Sequence, residues 1–327
     1  MPPRLYIDAI HDALDEAMAA DPRVIIMGED IEAGGVFRAT EGLLDKYGAG
    51  RVLDTPLAES GIVGIAIGAA MNGMRPVAEI QFADFIFPAM NQIISEAARI
   101  SYRSHGGFNC PIVLRVPYGG GIHGALYHSQ SVEAFFAHVP GLKVVAPSTP
   151  ADAAGLLRAA IDDDNPVLYL EHKRAYRLIS DELSDRHPKI EIGTVAIPRE
   201  GNDLTVFTYG YMVHETLKAA DRLSQEQGTE CCVVDLRTLA PLDKPTILET
   251  ARKTGKVLIV HEDNLTGGFG AEIAAIIAEE AFEAMDAPIM RLAAPDVPSF
   301  PFAESLESVC LPDSNKIYEA LCRLAAY

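Results

Sequence analysis

The sequence predicts an α/β protein of two domains, with mostly parallel sheets covered by helices on both faces. Continuously apolar short runs alternate with helix-length segments along nearly the whole chain, as expected of strands buried on both sides. At 327 residues the chain also exceeds the usual length of one core, and the length prior gives about two domains. A polar stretch between Leu178 and Ile192 interrupts the pattern and reads as the linker.

Taken in order, Tyr6–Ala20 reads as a helix, because Ile7, Ile10, Leu14 and Met18 fall on one stripe. A short buried strand over 24–27 then ends in Gly28-Glu29-Asp30. Strand-like runs over 76–82, 111–116, 143–146 and 167–170 alternate with helix-like segments over 60–72, 84–103 and 150–162. After the linker come strands near 204–208, 231–235, 257–261 and 289–292. Helices are expected near 212–227, 244–254, 270–285 and 314–325. A larger α/β domain thus precedes a smaller one.

Composition narrows the function. With 49% apolar residues the chain can bury a substantial core, and 46 acidic against 27 basic residues leave a formal charge of −19. That balance argues against nucleic acid or an anionic membrane as the main partner, since both require a basic footprint. The short basic clusters, His172-Lys-Arg-Ala-Tyr-Arg177 and Arg99 with Arg103, read as solvated faces or salt-bridge contributors. Five cysteines, an odd number without CxxC spacing, fit a reducing compartment better than a disulfide framework or zinc site. No apolar signal core opens the chain and no stretch is long enough to span a bilayer. A cytoplasmic protein is expected.

The most informative motif is Asp54-Thr-Pro-Leu-Ala-Glu-Ser-Gly61, because Glu59 is followed by a run to Met71 with no charge. Two readings stand. Glu59 opens an exposed helix, entered through Pro56 and favoured by the helix dipole. Alternatively it is a buried acid whose raised pKa lets it share a proton near neutral pH. Further on, Gly119-Gly-Gly-Ile-His-Gly-Ala-Leu-Tyr-His-Ser-Gln130 follows a buried strand, and such loops bind ligands at the ends of open α/β sheets. His123 and His128 on it either satisfy loop backbone or exchange protons near neutrality. In Glu79-Ile-Gln-Phe-Ala-Asp-Phe-Ile-Phe-Pro88, Phe82 and Phe87 read as core. Gln81 and Phe85 suit the edge and face of a flat polar heterocycle.

Two other motifs fail. Gly267-Gly-Phe-Gly-Ala-Glu272 follows a strand and opens a helix, yet Ile273 stands where a dinucleotide fingerprint needs its third glycine. A tight strand-to-helix turn is the better reading. No GxxxxGK[ST] occurs, and Gly64 with Gly68 reads as a site of close backbone packing.

Together these segments resemble the β subunit of the thiamine-diphosphate-dependent first component (E1) of 2-oxo acid dehydrogenase complexes. The resemblance spans essentially the whole chain. It rests on Gly28-Glu-Asp with Gly35-Val-Phe, Asp54-Thr-Pro-Leu-Ala-Glu, Met74-Arg-Pro-Val-Ala-Glu-Ile-Gln-Phe-Ala-Asp and His128-Ser-Gln-Ser. It continues through Pro140-Gly-Leu-Lys-Val-Val, Asn165-Pro-Val, Asp235-Leu-Arg-Thr-Leu and Thr266-Gly-Gly-Phe-Gly. Pro117-Tyr-Gly-Gly-Gly and Glu171-His-Lys-Arg-Ala-Tyr-Arg make it most similar to the branched-chain, 2-oxoisovalerate type, with pyruvate and acetoin enzymes as alternatives.

The resemblance implies a pyrimidine-binding domain over 1–185 and a transketolase C-terminal-like domain over 192–327. It implies that Glu59 hydrogen-bonds N1′ of the thiamine diphosphate aminopyrimidine, that Gln81 and Phe85 line that ring, and that His128 assists acyl transfer to lipoyl. Many relatives carry tyrosine where this chain has Phe85, so any hydroxyl contact is lost here. Pyruvate-type members hold potassium near positions matching Ile112, Ala160, Ile161, Asp163 and Asn165. No GDG motif for Mg2+ and diphosphate occurs in the chain, which implies an α subunit supplying that end within an α2β2 heterotetramer. The remaining partner implied is the E2 acyltransferase with its lipoyl domain. A non-catalytic scaffold is the alternative from another functional class, and the retained Glu59 and His128 speak against it.

Overall fold

The computed structural model describes residues 3–182 and 188–327, so 183–187, the centre of the expected linker, lie outside the described residues. The chain divides into two compact units, Met1–Tyr118 with Phe135–Ile192, and Gly119–Ala134 with Gly193–Tyr327. The segment 119–134 thus groups with the C-terminal half, although it follows directly on a strand of the first unit. Among the described residues no helix is long and apolar enough to cross a membrane.

Six parallel strands of the first unit run in the order Lys143–Val145, Val167–His172, Val113–Tyr118, Arg75–Glu79, Val24–Gly28, Val52–Asp54. Every residue of 24–28, 113–118 and 167–172 is buried, the charged Arg115 and Glu171 along with their apolar neighbours. The helix Tyr6–Ala20 buries Ile7, Ile10, Leu14 and Met18. Pro150–Asp162 starts at Thr149, whose hydroxyl accepts the Asp152 N–H at 3.1 Å, with Pro150 in the first turn. Strand order also fixes where ligands bind. Val24–Gly28 has its chain successor Val52–Asp54 on one side and Arg75–Glu79 on the other, so the connections reverse there. A crevice opens at the carboxyl ends of strands at such a switch point.

Three expectations need correction. The helix expected over 84–103 is broken into the 3-10 turns Ala83–Phe85 and Phe87–Ala89, a π turn at Gln92–Glu96, a further 3-10 turn and the short helix Ile100–Arg103. Pro88 accounts for the first breaks, since it removes a donor and its ring clashes with a preceding carbonyl. The described ends of the expected linker dock on the first unit: Ser180–Asp181 pairs antiparallel with Arg4–Leu5, and the Ile190 N–H donates to the Gly155 carbonyl at 3.2 Å. Nor is the start of the 172–177 cluster a solvated face. His172 and Lys173 are 1% and 4% exposed, and the Lys173 ammonium lies 5.7 Å from the Phe82 ring centroid.

At the heart of this unit lies Arg115. Register sets Glu79 opposite it on one neighbouring strand and Tyr169 on the other, with Glu171 two residues beyond Tyr169. These positions share one face of the sheet. Arg115 Nε and Nη2 donate to the two oxygens of Glu171 at 2.6 and 2.7 Å, and Nη1 donates to Glu79 at 2.6 Å. Tyr176 adds its hydroxyl to Glu171 at 2.7 Å. The three charged groups are at most 3% exposed.

The second unit is built on a five-stranded sheet in the order Met290–Ala294, Val257–Asn264, Leu204–Thr208, Cys231–Asp235, Ala196–Arg199. The last is an antiparallel edge strand, missed because Pro198 interrupts it and prolines are tolerated mainly at edges. The turn at 267–270 is the tight strand-to-helix connection that the sequence suggests. A side chain on Gly268 or Gly270 would lie 2.6 or 2.7 Å from ring atoms of His261, so both glycines are there to let the turn close over that imidazole. His261 is fully buried, and its ring nitrogens reach no well-formed hydrogen bond among the described residues. Burial, followed by the charge of Arg291, pulls its pKa down to about 4.

Each unit yields a stability test. Arg115→Met strands two buried carboxylates, and breaking such a pair costs ~3–5 kcal/mol. The urea midpoint of the full chain should fall accordingly, and an unchanged midpoint would show that the guanidinium is dispensable. His261 is neutral in the fold and protonates near 6.5 once unfolded. Its contribution is therefore complete above about 6.5 and lost as pH falls towards about 4. Thermal midpoints measured from pH 7 down to 4 should decline less steeply in His261→Phe. Parallel curves would contradict the buried neutral imidazole.

Candidate active site

Three adjacent strand ends of the first unit supply the candidate site. Glu29 follows directly on Val24–Gly28, Gln81 lies two residues past Arg75–Glu79, and Glu59 lies five past Val52–Asp54. They meet at the switch point, where the strand order directs a ligand crevice.

Glu59 is the first residue of the helix Glu59–Met71 and is half-buried. Its carboxylate makes no hydrogen bond or ion pair among the described residues. The helix-start reading is therefore correct as geometry, and it leaves the acid available for something other than the fold. Gln81 is held by its amide, which donates to Asp30 Oδ2 at 3.0 Å. Phe85 lies on the 3-10 turn Ala83–Phe85 with its ring edge-on to Phe82, centroids 5.8 Å apart and planes at 79°. Phe82 is in turn edge-on to Phe37 at 5.5 Å. Phe85 remains half-buried, with the rest of the aromatic group behind it.

Glu29 is the residue that sequence reasoning missed. It is 7% exposed and its Oε1 has no hydrogen-bond partner among the described residues. Burial raises its pKa, and the charges of Glu59, Asp30 and Glu79 raise it further. The available signal was Gly28-Glu-Asp, a carboxylate placed immediately after a buried strand. An orphaned buried carboxyl oxygen, a second free carboxylate, a fixed amide and an aromatic ring form a donor set that fits a flat heterocycle with a basic ring nitrogen. The aminopyrimidine of thiamine diphosphate is such a ring.

His128 lies on 119–134 and is described with the second unit. The loop is closed at its base by the Gly119 N–H, which donates to the Gln130 carbonyl at 3.0 Å. His128 is half-buried. His123, its companion in the motif, is engaged structurally, with Nδ1 2.7 Å from a Glu307 carboxylate oxygen.

The expected potassium positions form a neighbourhood in the first unit. The Val167 N–H donates to the Ile112 carbonyl at 3.0 Å, and the Asp163 N–H to that of Ala160 at 3.3 Å. Arg75 Nη1 donates to the carbonyls of Ile161 and Asp163, each at 2.9 Å. The Asp163 carboxylate pairs with Lys143 and accepts the Asn165 N–H at 2.9 Å. A cation there would share two carbonyls with a guanidinium, each oxygen contributing its second lone pair. Among the described residues no cluster of three or more His, Cys, Asp or Glu side chains is arranged to hold a metal.

Comparison with known proteins bears on the fold and the family. Residues 4–179 match the pyrimidine binding domain of transketolase, and residues 193–317 match the transketolase C-terminal domain. The chain is 57% identical over 323 residues to the 2-oxoisovalerate dehydrogenase subunit beta of Bacillus subtilis (strain 168), covering 98% of each. It is 47% identical over 314 residues to the pyruvate dehydrogenase E1 component subunit beta of the same organism, covering 96% of each. Among solved structures, a split-gene transketolase described as an inactive beta4 tetramer superposes with a TM-score of 0.79 at 23% identity, over 98% of both chains. That likeness concerns the fold alone. The matched domains and full-length relatives lead to one assignment: the chain belongs to the thiamine-diphosphate-dependent family of 2-oxo acid dehydrogenase E1 beta subunits.

Proposed function

We propose that the chain is the catalytic β half of a branched-chain 2-oxo acid dehydrogenase, decarboxylating 2-oxoisovalerate and its relatives together with an α subunit. The acyl group passes to the lipoyl arm of an E2 acyltransferase. The observation that carries the reading is the unpaired Glu59 carboxylate beside orphaned Glu29 at the switch point. It occurs in a chain 57% identical over its length to a 2-oxoisovalerate dehydrogenase subunit.

When bound, thiamine diphosphate supplies the electron sink for loss of carbon dioxide. The chain's own residues do the rest. Glu59 holds a proton at the ring nitrogen N1′, a role that suits an acid kept free of structural partners. Glu29 limits how much negative charge the site bears, because its own ionisation is disfavoured. Gln81 fixes the polar edge of the ring and Phe85 offers an apolar face. His128 holds or delivers a proton during acyl transfer. Residues 1–185 carry the pyrimidine end, and 192–327 serve subunit contact and E2 docking. The α subunit, in an α2β2 assembly, brings Mg2+ and the diphosphate end, since this chain has no GDG motif. Potassium, if used, sits on the carbonyls near Ile112, Ala160, Ile161, Asp163 and Asn165. The cysteine pattern favours work in the cytoplasm.

Pyruvate is the second reading for the substrate, favoured by the 47% identity to a pyruvate dehydrogenase subunit. Comparing kcat/KM for 2-oxoisovalerate and pyruvate in the α2β2 complex decides between them. In the same complex, with thiamine diphosphate and Mg2+, Glu59→Gln should lower dye-linked oxidation of the 2-oxo acid by ~10²–10⁴-fold. Its elution as a heterotetramer should not change. Full activity in that variant would remove Glu59 from the chemistry.

A further inference from the structure

The glycine-rich loop of the second unit is held by carboxylates in a way that neither composition nor motif spacing discloses. Gly120 and Gly121 present consecutive N–H groups. The first donates to Glu262 and the second to Glu307 Oε1 at 2.9 Å. The other oxygen of Glu307 lies 2.7 Å from His123 Nδ1. Both acids come from elsewhere in the chain, Glu262 from the strand Val257–Asn264 and Glu307 from the helix Glu304–Cys310. They are 3% and 2% exposed. A buried carboxylate that accepts a backbone N–H forms a charge-assisted bond, stronger than the carbonyl contact of an ordinary turn.

The loop they grip is strained. His123 has φ 60° and Ala125 has φ 53°, left-handed values that non-glycine residues adopt rarely and that persist only where surroundings enforce them. The contact of Glu307 with His123 supplies that enforcement at one of the two positions. Close approaches fix the rest of the path. A side chain on Gly120 would lie 3.2 Å from the Phe300 ring, and one on Gly124 only 2.6 Å from His128 Cβ. The outgoing limb, clamped at 120, 121 and 123, is thus in contact at Gly124 with the returning limb that carries His128. Two buried acids thus hold a short, strained loop whose returning limb carries His128.

We infer that Glu307, with Glu262, is a positioning residue for His128, clamping the 119–130 loop so that the imidazole stands where acyl transfer needs it. This rests on the role given to His128 above. The carboxylates bind the loop itself, through the N–H groups of Gly120 and Gly121 and the His123 ring. Their effect should therefore appear in the step that uses His128 and be absent from the step that uses Glu59. Displacement of a catalytic group by ~1 Å can cost on the order of 10²-fold.

The test uses the α2β2 complex with thiamine diphosphate and Mg2+, in three variants: Glu307→Ala, Glu307→Gln and His128→Asn. Two rates are read, dye-linked oxidation of the 2-oxo acid and acylation of a lipoyl domain. The expectation is that Glu307→Ala lowers lipoyl acylation ~10–100-fold while the dye-linked rate stays within about twofold. Glu307→Gln, which keeps an acceptor oxygen for the Gly121 N–H, should recover most of the loss. Equal loss of both rates in Glu307→Ala would mean a structural role and overturn the inference. If His128→Asn lowers acylation and Glu307→Ala does not, the inference alone fails. If His128→Asn leaves acylation intact, the role of His128 fails first and the positioning role fails with it.

Discussion

Everything at the candidate site depends on a guanidinium buried under it. Arg115 joins three neighbouring strands through Glu79 and Glu171, near the ends from which the site residues emerge. Removing these charges from water costs several kcal/mol per ion, and only good geometry with full hydrogen bonding recovers it. That condition is met, because Glu171 receives a bidentate fork and a tyrosine hydroxyl besides. Replacement by apolar residues could match its stability but would forfeit the placement of Glu79. Glu79 is among the charges that burden Glu29, so the core ion pair and the site share a carboxylate. Register in the sheet and electrostatics in the crevice are one constraint.

The second consequence is an unusual local concentration of acid. Glu29, Asp30, Glu59 and Glu79 are near enough in the first unit for the latter three to act on the Glu29 carboxyl. Burial and these neighbouring charges raise the Glu29 pKa, so its carboxyl holds a proton more firmly than it would in water. Such a group is useful wherever a proton has to be kept near a basic nitrogen. Arg115 neutralises the deepest part of the set and leaves the outer part for a ligand to complete. A cationic or proton-accepting heterocycle would relieve that repulsion, which is a reason for the site to favour such a ligand.

Much of the fold was legible because burial on both sheet faces writes itself as apolar runs, and helix stripes as a 3.6 period. Tyr6–Ala20, Leu204–Thr208 and Lys244–Thr254 were readable in that way. Elements of three or four residues, such as Val52–Asp54 and Ala196–Arg199, contain too few positions to establish any period. The 84–103 helix failed for a different reason, as periodicity survives a π turn while the backbone does not. At the site, Glu59 and Gln81 were visible because polar groups stood out against apolar surroundings. Glu29 was not, since an acid after a strand resembles a turn residue until its burial is known. His172 and Lys173 misled because charge normally marks surface, and only tertiary packing reveals an exception.

Part of the net charge of −19 lies inside the fold, where it holds irregular backbone. Glu262 and Glu307 accept loop N–H groups. Glu215 accepts the N–H of Ser314 at 3.0 Å, and Asp235 that of Arg237 at 3.1 Å, a residue with φ 53°. Each holds backbone that cannot pair within a sheet or helix. An amide or hydroxyl could accept the same proton, but a carboxylate binds it more strongly and, when buried, tolerates no looser arrangement. The cost is mutual repulsion: burial together with Asp263 and Glu262 pushes the Glu133 carboxyl well up. Glu133 answers by binding the Tyr209 hydroxyl at 2.8 Å, which ties down the far end of the segment that carries His128. An acidic interior is thus a way to hold irregular backbone rigidly, and irregular backbone is where the chain keeps its loop histidines.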